Sequence, residues 1–148
     1  MGLDISHNTW HGAYSAFMRW RKEIAKVAGF PPLELMEGFY MENKFSLLDA
    51  IHKKDDLCMY FLNDVRESLP IQWDFFRGDP LYHLLYHSDC DGQITYIRAG
   101  KIAKRLRELL PKIDGDLGGH IGNIKEKTIT FIEGCELAYE LKEPLEFH

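Results

Sequence analysis

Proline and glycine decide how long any helix in this chain can run. Gly29-Phe30-Pro31-Pro32, Pro70, Gly78-Asp79-Pro80, Pro111 and Pro144 divide the sequence into short pieces. A proline inside a helix removes a backbone donor and clashes with the preceding turn, at a cost of about 3 kcal/mol. The helices must therefore lie between these marks. Over residues 13–28, Ala13, Ala16, Phe17, Trp20, Ile24 and Val27 recur at three- and four-residue steps, which predicts a helix with one apolar stripe. Arg19, Arg21, Lys22 and Lys26 fall largely off that stripe, and Gly29 supplies the stop. Asp79 and Pro80 are a start signal, cap then first position, for a short helix over 80–87. Residues 96–110, with Ile102, Ala103, Leu106, Leu109 and Leu110 apolar, predict another helix, closed by Pro111. A last one over 124–141 turns Ile124, Thr128, Phe131, Cys135, Ala138 and Leu141, or their neighbours, inward and ends before Pro144.

The remaining segments read less regularly. Residues 33–40 suit a short helix or an irregular apolar run, and 46–52 a helical piece. A helix capped by Asp55 or Asp56 is expected to reach Ser68. Residues 71–76 read as a strand or a packed loop, 87–95 as a polar turn, and 114–122, with four glycines, as a loop. Both ends alternate: Leu3, Ile5 and His7 against Asp4 and Ser6, and residues 145–148 likewise. The expectation is an α+β, mainly α, single domain over residues 1–148, with four to five helices and short N- and C-terminal strands that pair and bring His7 near His148.

Composition removes several functional classes. The chain has 148 residues, long enough to bury a core without staples. With 18 basic and 23 acidic residues its net charge is −5, which argues against generalised nucleic-acid binding. No apolar run approaches the roughly 18 residues that span a bilayer, and no basic-then-apolar leader opens the chain. Three cysteines (Cys58, Cys90 and Cys135) lack finger spacing and fit a reducing cytoplasm.

The densest run of chemistry-bearing residues is His83-Leu-Leu-Tyr-His87-Ser88-Asp89-Cys90-Asp91-Gly92. His83 and His87 stand four apart, so a continuous helix would project both imidazoles from one face, as paired helical metal ligands do. Asp89 and Asp91 add carboxylates, a donor mix suited to a divalent transition metal, zinc first. The bland reading is a turn held by its own Asp residues. The run half-matches a calcium loop, but His87 occupies its first ligand position and Arg98 replaces the bidentate Glu at its twelfth, which argues against calcium. His7 and His11 near one end and His148 at the other complete a candidate metal set of His7, His11, His87, Asp89, Asp91 and His148, provided the ends meet beside the turn. Taken singly, each of these histidines is more commonly a surface or capping residue. Trp10, Tyr14, Trp73 and Tyr86 are candidate walls for such a pocket, or simply core.

Arg98, Lys101 and Arg105 share a helical face, with Lys104 and Arg107 beside it. Arginine pairs clamp phosphates; the bland reading is a solvated face. The Gly115–Gly122 loop lacks the strand and the Gly-Lys-Ser/Thr of a phosphate loop. Met1-Gly2-Leu3-Asp4-Ile5-Ser6 satisfies the myristoylation pattern but has no polybasic neighbour. Cys90, between two Asp, is a poor setting for a nucleophilic thiolate and reads as structural.

The opening Met1-Gly-Leu-Asp-Ile-Ser-His7 with Trp10 and residues 12–17, the central Leu84-Leu-Tyr-His-Ser-Asp-Cys-Asp-Gly92, and the closing Glu146-Phe147-His148 resemble a group of small bacterial and phage proteins without an assigned activity. The resemblance implies a bacterial or phage cytosolic setting and transfers no chemistry. Three functional readings follow. One is a polar His/Asp pocket holding a divalent metal, which as an enzyme would be a metal-dependent hydrolase with Asp89 or Asp91 as base. Another is a non-catalytic accessory protein that sequesters a small anionic ligand or blocks a protein partner, through the pocket or through Arg98, Lys101 and Arg105. The third is a purely architectural hub.

Overall fold

In the computed structural model, residues 2–39, 70–113 and 123–148 are described. They form β1 (Gly2–Ile5), β2 (Trp10–Ala13), α1 (Tyr14–Ala28), α2 (Tyr82–Leu85), β3 (Gln93–Ile94), α3 (Tyr96–Leu109), α4 (Ile124–Leu141) and β4 (Leu145–Glu146). Single 3₁₀ turns lie at Leu33–Leu35, Trp73–Phe76 and Leu110–Lys112. The fold is mainly α with two short antiparallel strand pairs, as the sequence predicts. The helical pieces expected over 46–52 and 55–68, and the loop over 114–122, lie outside the described residues.

The N-terminus is a hairpin rather than a lone strand. β1 pairs with β2 in the register Gly2↔Ala13 to Ile5↔Trp10. His7 and Asn8 turn the chain with φ of 62° and 56°. Consecutive left-handed residues match the right-handed twist of the strands they join. Thr9 closes the turn, donating its N–H and its hydroxyl to Ser6 O at 3.2 and 2.6 Å.

The chain ends do pair. Asp4 and His148 exchange backbone hydrogen bonds at 3.1 and 2.8 Å, and Ser6 N–H donates to Glu146 O at 2.9 Å. β4 in turn pairs with β3, and Phe147 N–H donates to Gly92 O. The four segments make a small patch of sheet. Leu3, Ile5, Trp10, Ile94, Leu145 and Phe147 are buried beneath it, while Asp4, His11, Gln93, Glu146 and His148 are exposed. The period of two separates the faces. The antiparallel register sets His148 opposite Asp4 and carries His7 the other way, toward Glu143 at 3.6 Å. The expected approach of His7 to His148 is therefore corrected by the direction of pairing.

Under the sheet lies an aromatic core of Trp10, Phe17, Trp20, Phe131 and Phe147, with ring centroids 4.6–6.5 Å apart. Each such pair contributes about 0.5–1.5 kcal/mol beyond its buried area. Trp20 Nε1 donates to Thr128 Oγ1 at 3.0 Å, and that hydroxyl donates to Ile124 O at 2.8 Å. The pair joins α1 to α4 through the middle of the core.

α1 runs where its stripe predicts and stops at Gly29, whose φ of 85° is left-handed. Arg21 departs from the sequence reading: it is 1% exposed. Its Nη1 donates to the carbonyls of His87 at 2.8 Å, Leu85 at 3.4 Å and Leu84 at 3.5 Å. These are orphan carbonyls at the end of α2, so the guanidinium is a C-cap supplied by another helix. Burial pushes Arg21 down to about 10, against the pull of Asp89, and it remains cationic at neutral pH. Of the residues grouped on the inward side of α4, Ala138 is buried while Leu141 is 53% exposed, because α4 outlasts the core at its last turn.

A candidate anion-binding face

The His83/His87 pair does not form on a helix. α2 ends at Leu85, with Tyr86 as its C-cap, so the four-residue spacing loses its helical meaning. His83 looks toward α3, where Arg98 and Lys101 lie close enough to disfavour its protonation. His87 sits over Phe147, ring centroids 4.2 Å apart. Its Nδ1 is 2.8 Å from Ser88 O and its Nε2 is 3.2 Å from Gln93 O. Both ring nitrogens thus meet backbone carbonyls, and neither is turned to an open coordination position. Gly92, with φ of 87°, lies beneath this ring: a Cβ there would meet His87 Cε1 at 3.3 Å. The Asp-Gly turn anticipated from sequence is present, and it closes on His87.

The other candidate metal donors are held in separate local pairs. His7 Nδ1 contacts Ser6 Oγ at 2.9 Å. His11 Nδ1 pairs with Asp4, and His148 Nε2 lies 3.8 Å from Glu146. Asp89 acts on Arg21, and Asp91 is exposed at the turn. Among the described residues, no three His, Cys, Asp or Glu side chains form a group that holds a metal. Cys135 is buried, and burial with Glu136 beside it pushes its thiol up, out of nucleophilic reach. Cys90 is exposed, 3.4 Å from Ser88 Oγ.

The basic stripe is where two elements converge. Thr95 caps α3, its hydroxyl accepting from Arg98 N–H at 3.4 Å. Arg98, Lys101 and Arg105 follow at three- and four-residue spacing and share a face. Their circumstances differ. Arg105 Nε donates to Asp79 at 3.2 Å, and Nη1 reaches Glu108 at 3.4 Å. Asp79 also accepts from Leu81 N–H at 2.9 Å, so Arg105 fastens α3 to the start of α2. Arg98 and Lys101 form no ion pair among the described residues. The first turn of α3 carries no acidic residue, so the positive end of the helix dipole adds to their field.

On the α2 side stand His83 and an aromatic group. Tyr82 and Tyr86 stack with centroids 5.6 Å apart and planes 8° from parallel. Trp73 meets both edge-on, and Arg77 lies 5.9 Å from the Tyr82 ring centroid. Tyr86 is 51% exposed. His83 is lowered from its ordinary 6.5, by burial first and then by Arg98 and Lys101. The surface thus offers two free cations and a neutral imidazole, with the Tyr82 ring 5.1 Å from that imidazole. The sequence groups Arg98, Lys101 and Arg105 alike, whereas in the structure Arg105 is ion-paired to Asp79 and Glu108, and His83 lies within the field of Arg98 and Lys101.

Matched against protein-family models, curated proteins and solved structures, the chain finds no counterpart in any of the three. The class this geometry defines is a mainly helical domain with a basic, aromatic-flanked face. No helix among the described residues is long and apolar enough to cross a membrane.

Proposed function

We propose that this is a non-catalytic binding protein that holds a small phosphate-bearing anion on the α2–α3 face, between Arg98, Lys101 and His83. The observation that supports it is the pair of cations, free of acidic partners among the described residues, converging on a histidine from another helix. An anion there relieves three unfavourable terms at once. It neutralises Arg98 against Lys101, it removes their pressure on His83, and it meets the positive end of α3. The Tyr82 ring, 5.1 Å from that of His83, offers a nucleotide base an aromatic neighbour.

The test uses inorganic phosphate and adenosine monophosphate at constant ionic strength, with chloride as control. Saturable thermal stabilisation is expected, together with an upward move of the His83 imidazole titration followed by NMR. Arg98→Ala/Lys101→Ala removes both effects. Wild-type protein that responds no more than to chloride, or a double variant that responds like wild type, overturns the reading. Release of product from the nucleotide would return the enzyme reading.

A further inference from the structure

A second surface lies along α3 where it meets α4, with Lys101 at the edge shared with the first. α3 and α4 pack antiparallel, with Gly100 beside Tyr139 and Arg107 ion-paired to Glu136. Gly100 has no room for a side chain, since a Cβ there would meet Tyr139 Cδ2 at 2.6 Å. The close approach leaves an open groove of about 610 Å³ between the helices. Ile97 and Tyr139 line it, 51% and 53% exposed. Large apolar side chains half in water along a groove mark an interaction surface.

The two rims carry opposite charge. Lys101 and Lys104 stand on the α3 side and Glu140 on the α4 side. Glu136 and Glu133 continue the acidic row one and two turns before Glu140. Arg107 and Glu136 neutralise each other, and Glu133 acts on Arg107 without an ion pair. Lys101, Lys104 and Glu140 have no ion pair among the described residues. Any occupant must therefore present an acidic row toward α3 and a basic row toward α4, with an apolar strip between. The surface itself meets that demand. A two-fold axis laid along the groove sets the α3 of one copy over the α4 of the other and preserves height along the groove. Because Gly100 is level with Tyr139, Lys101 of each copy then meets Glu140 of its partner. Ile97 and Tyr139 close the centre from both sides.

We infer that this groove is the interface of a two-fold symmetric homodimer, its contact isologous as such interfaces are. The groove shares Lys101 with the anion-binding face, whereas Arg98 lies outside it.

Sedimentation velocity of the full chain over a concentration series tests it. The wild type is expected to sediment as a dimer and to dissociate progressively as salt is raised. Lys101→Glu/Lys104→Glu and Glu133→Lys/Glu140→Lys, which spare the Arg107–Glu136 pair, should each weaken association tenfold or more, in keeping with like charges set face to face. Mixed together, the two variants restore complementarity on both sides and should form a heterodimer. Arg98→Ala should leave association unchanged. A wild type monomeric throughout overturns the inference and leaves the groove to a different partner; dimers indifferent to either reversal overturn it too. If a reversal variant melts early, carbodiimide cross-linking of mixed ¹⁵N-labelled and unlabelled wild type decides. Lys101 or Lys104 joined to Glu140 between labelled and unlabelled chains is the expected product, and links within one chain only contradict it.

Discussion

At the scale of single residues, the core depends on polar groups placed where only one partner serves them. Thr128 accepts from the Trp20 indole and gives its own proton to the α4 backbone. Both residues are 0% exposed, so water cannot replace a lost partner. Thr128→Val keeps the shape and removes the acceptor, leaving a buried N–H unsatisfied, at an expected cost of about 1–3 kcal/mol. Urea unfolding followed by tryptophan fluorescence should show a lower midpoint with an unchanged slope, and an unchanged midpoint contradicts the assignment. Arg21 was illegible beforehand for a related reason. A charged residue beside an apolar stripe reads as solvated, and only the tertiary arrangement reveals that α2 ends against it with carbonyls to cap. The reverse holds for Ile97 and Tyr139. Ile97 stands off the stripe of α3, while Tyr139 lies at the edge of the α4 stripe, four residues after Cys135, where periodicity alone reads it as core.

At the scale of elements, legibility follows length and punctuation. α1, α3 and α4 each have a periodic stripe and a chemical stop or start, Gly29 for α1, Thr95 for α3 and Asn123 for α4, so local sequence determines them. α2 has four residues, and β2 four with a glycine among them. Pieces that short have no periodicity to read; tertiary contacts define them. The missed β2 had a faint mark in Asn8, a residue tolerant of left-handed backbone, but no Asn-Gly pair to announce a hairpin. Its docking depends on one helical position. Gly134 of α4 lies against Thr9, and a Cβ there would fall 2.8 Å from Thr9 Cα and Cβ. The hairpin backbone cannot yield without losing the Thr9–Ser6 turn. Gly134→Ala should therefore destabilise the protein by about 3 kcal/mol, the upper end for overpacking, despite the better helix propensity of alanine. Thermal unfolding checks this. A variant as stable as wild type would show that the hairpin shifts freely on α4.

At the scale of the whole molecule, a net charge of −5 surrounds a face that is locally positive, and His83 reports on that face. Burial, then Arg98 and Lys101, hold its folded value below 6.5. Between 6.5 and that lower value the unfolded chain binds the proton more readily than the folded one. Stability therefore rises with pH across this window: the contribution is complete above 6.5 and is lost as pH falls through the folded value. The informative quantity is a difference between variants. Melting temperature measured from about pH 7 to about pH 5 should fall more steeply in wild type than in His83→Gln. Arg98→Ala should lie between them, since it removes one of the three causes and leaves burial in place. Saturating phosphate should mimic Arg98→Ala, because an anion between the cations screens the imidazole just as deletion does. Parallel slopes in wild type and His83→Gln would mean that His83 carries no such coupling. A phosphate response that survives in Arg98→Ala/Lys101→Ala would mean that the anion binds elsewhere. The two failures are separable: one concerns how the protein senses its basic face, the other what that face holds.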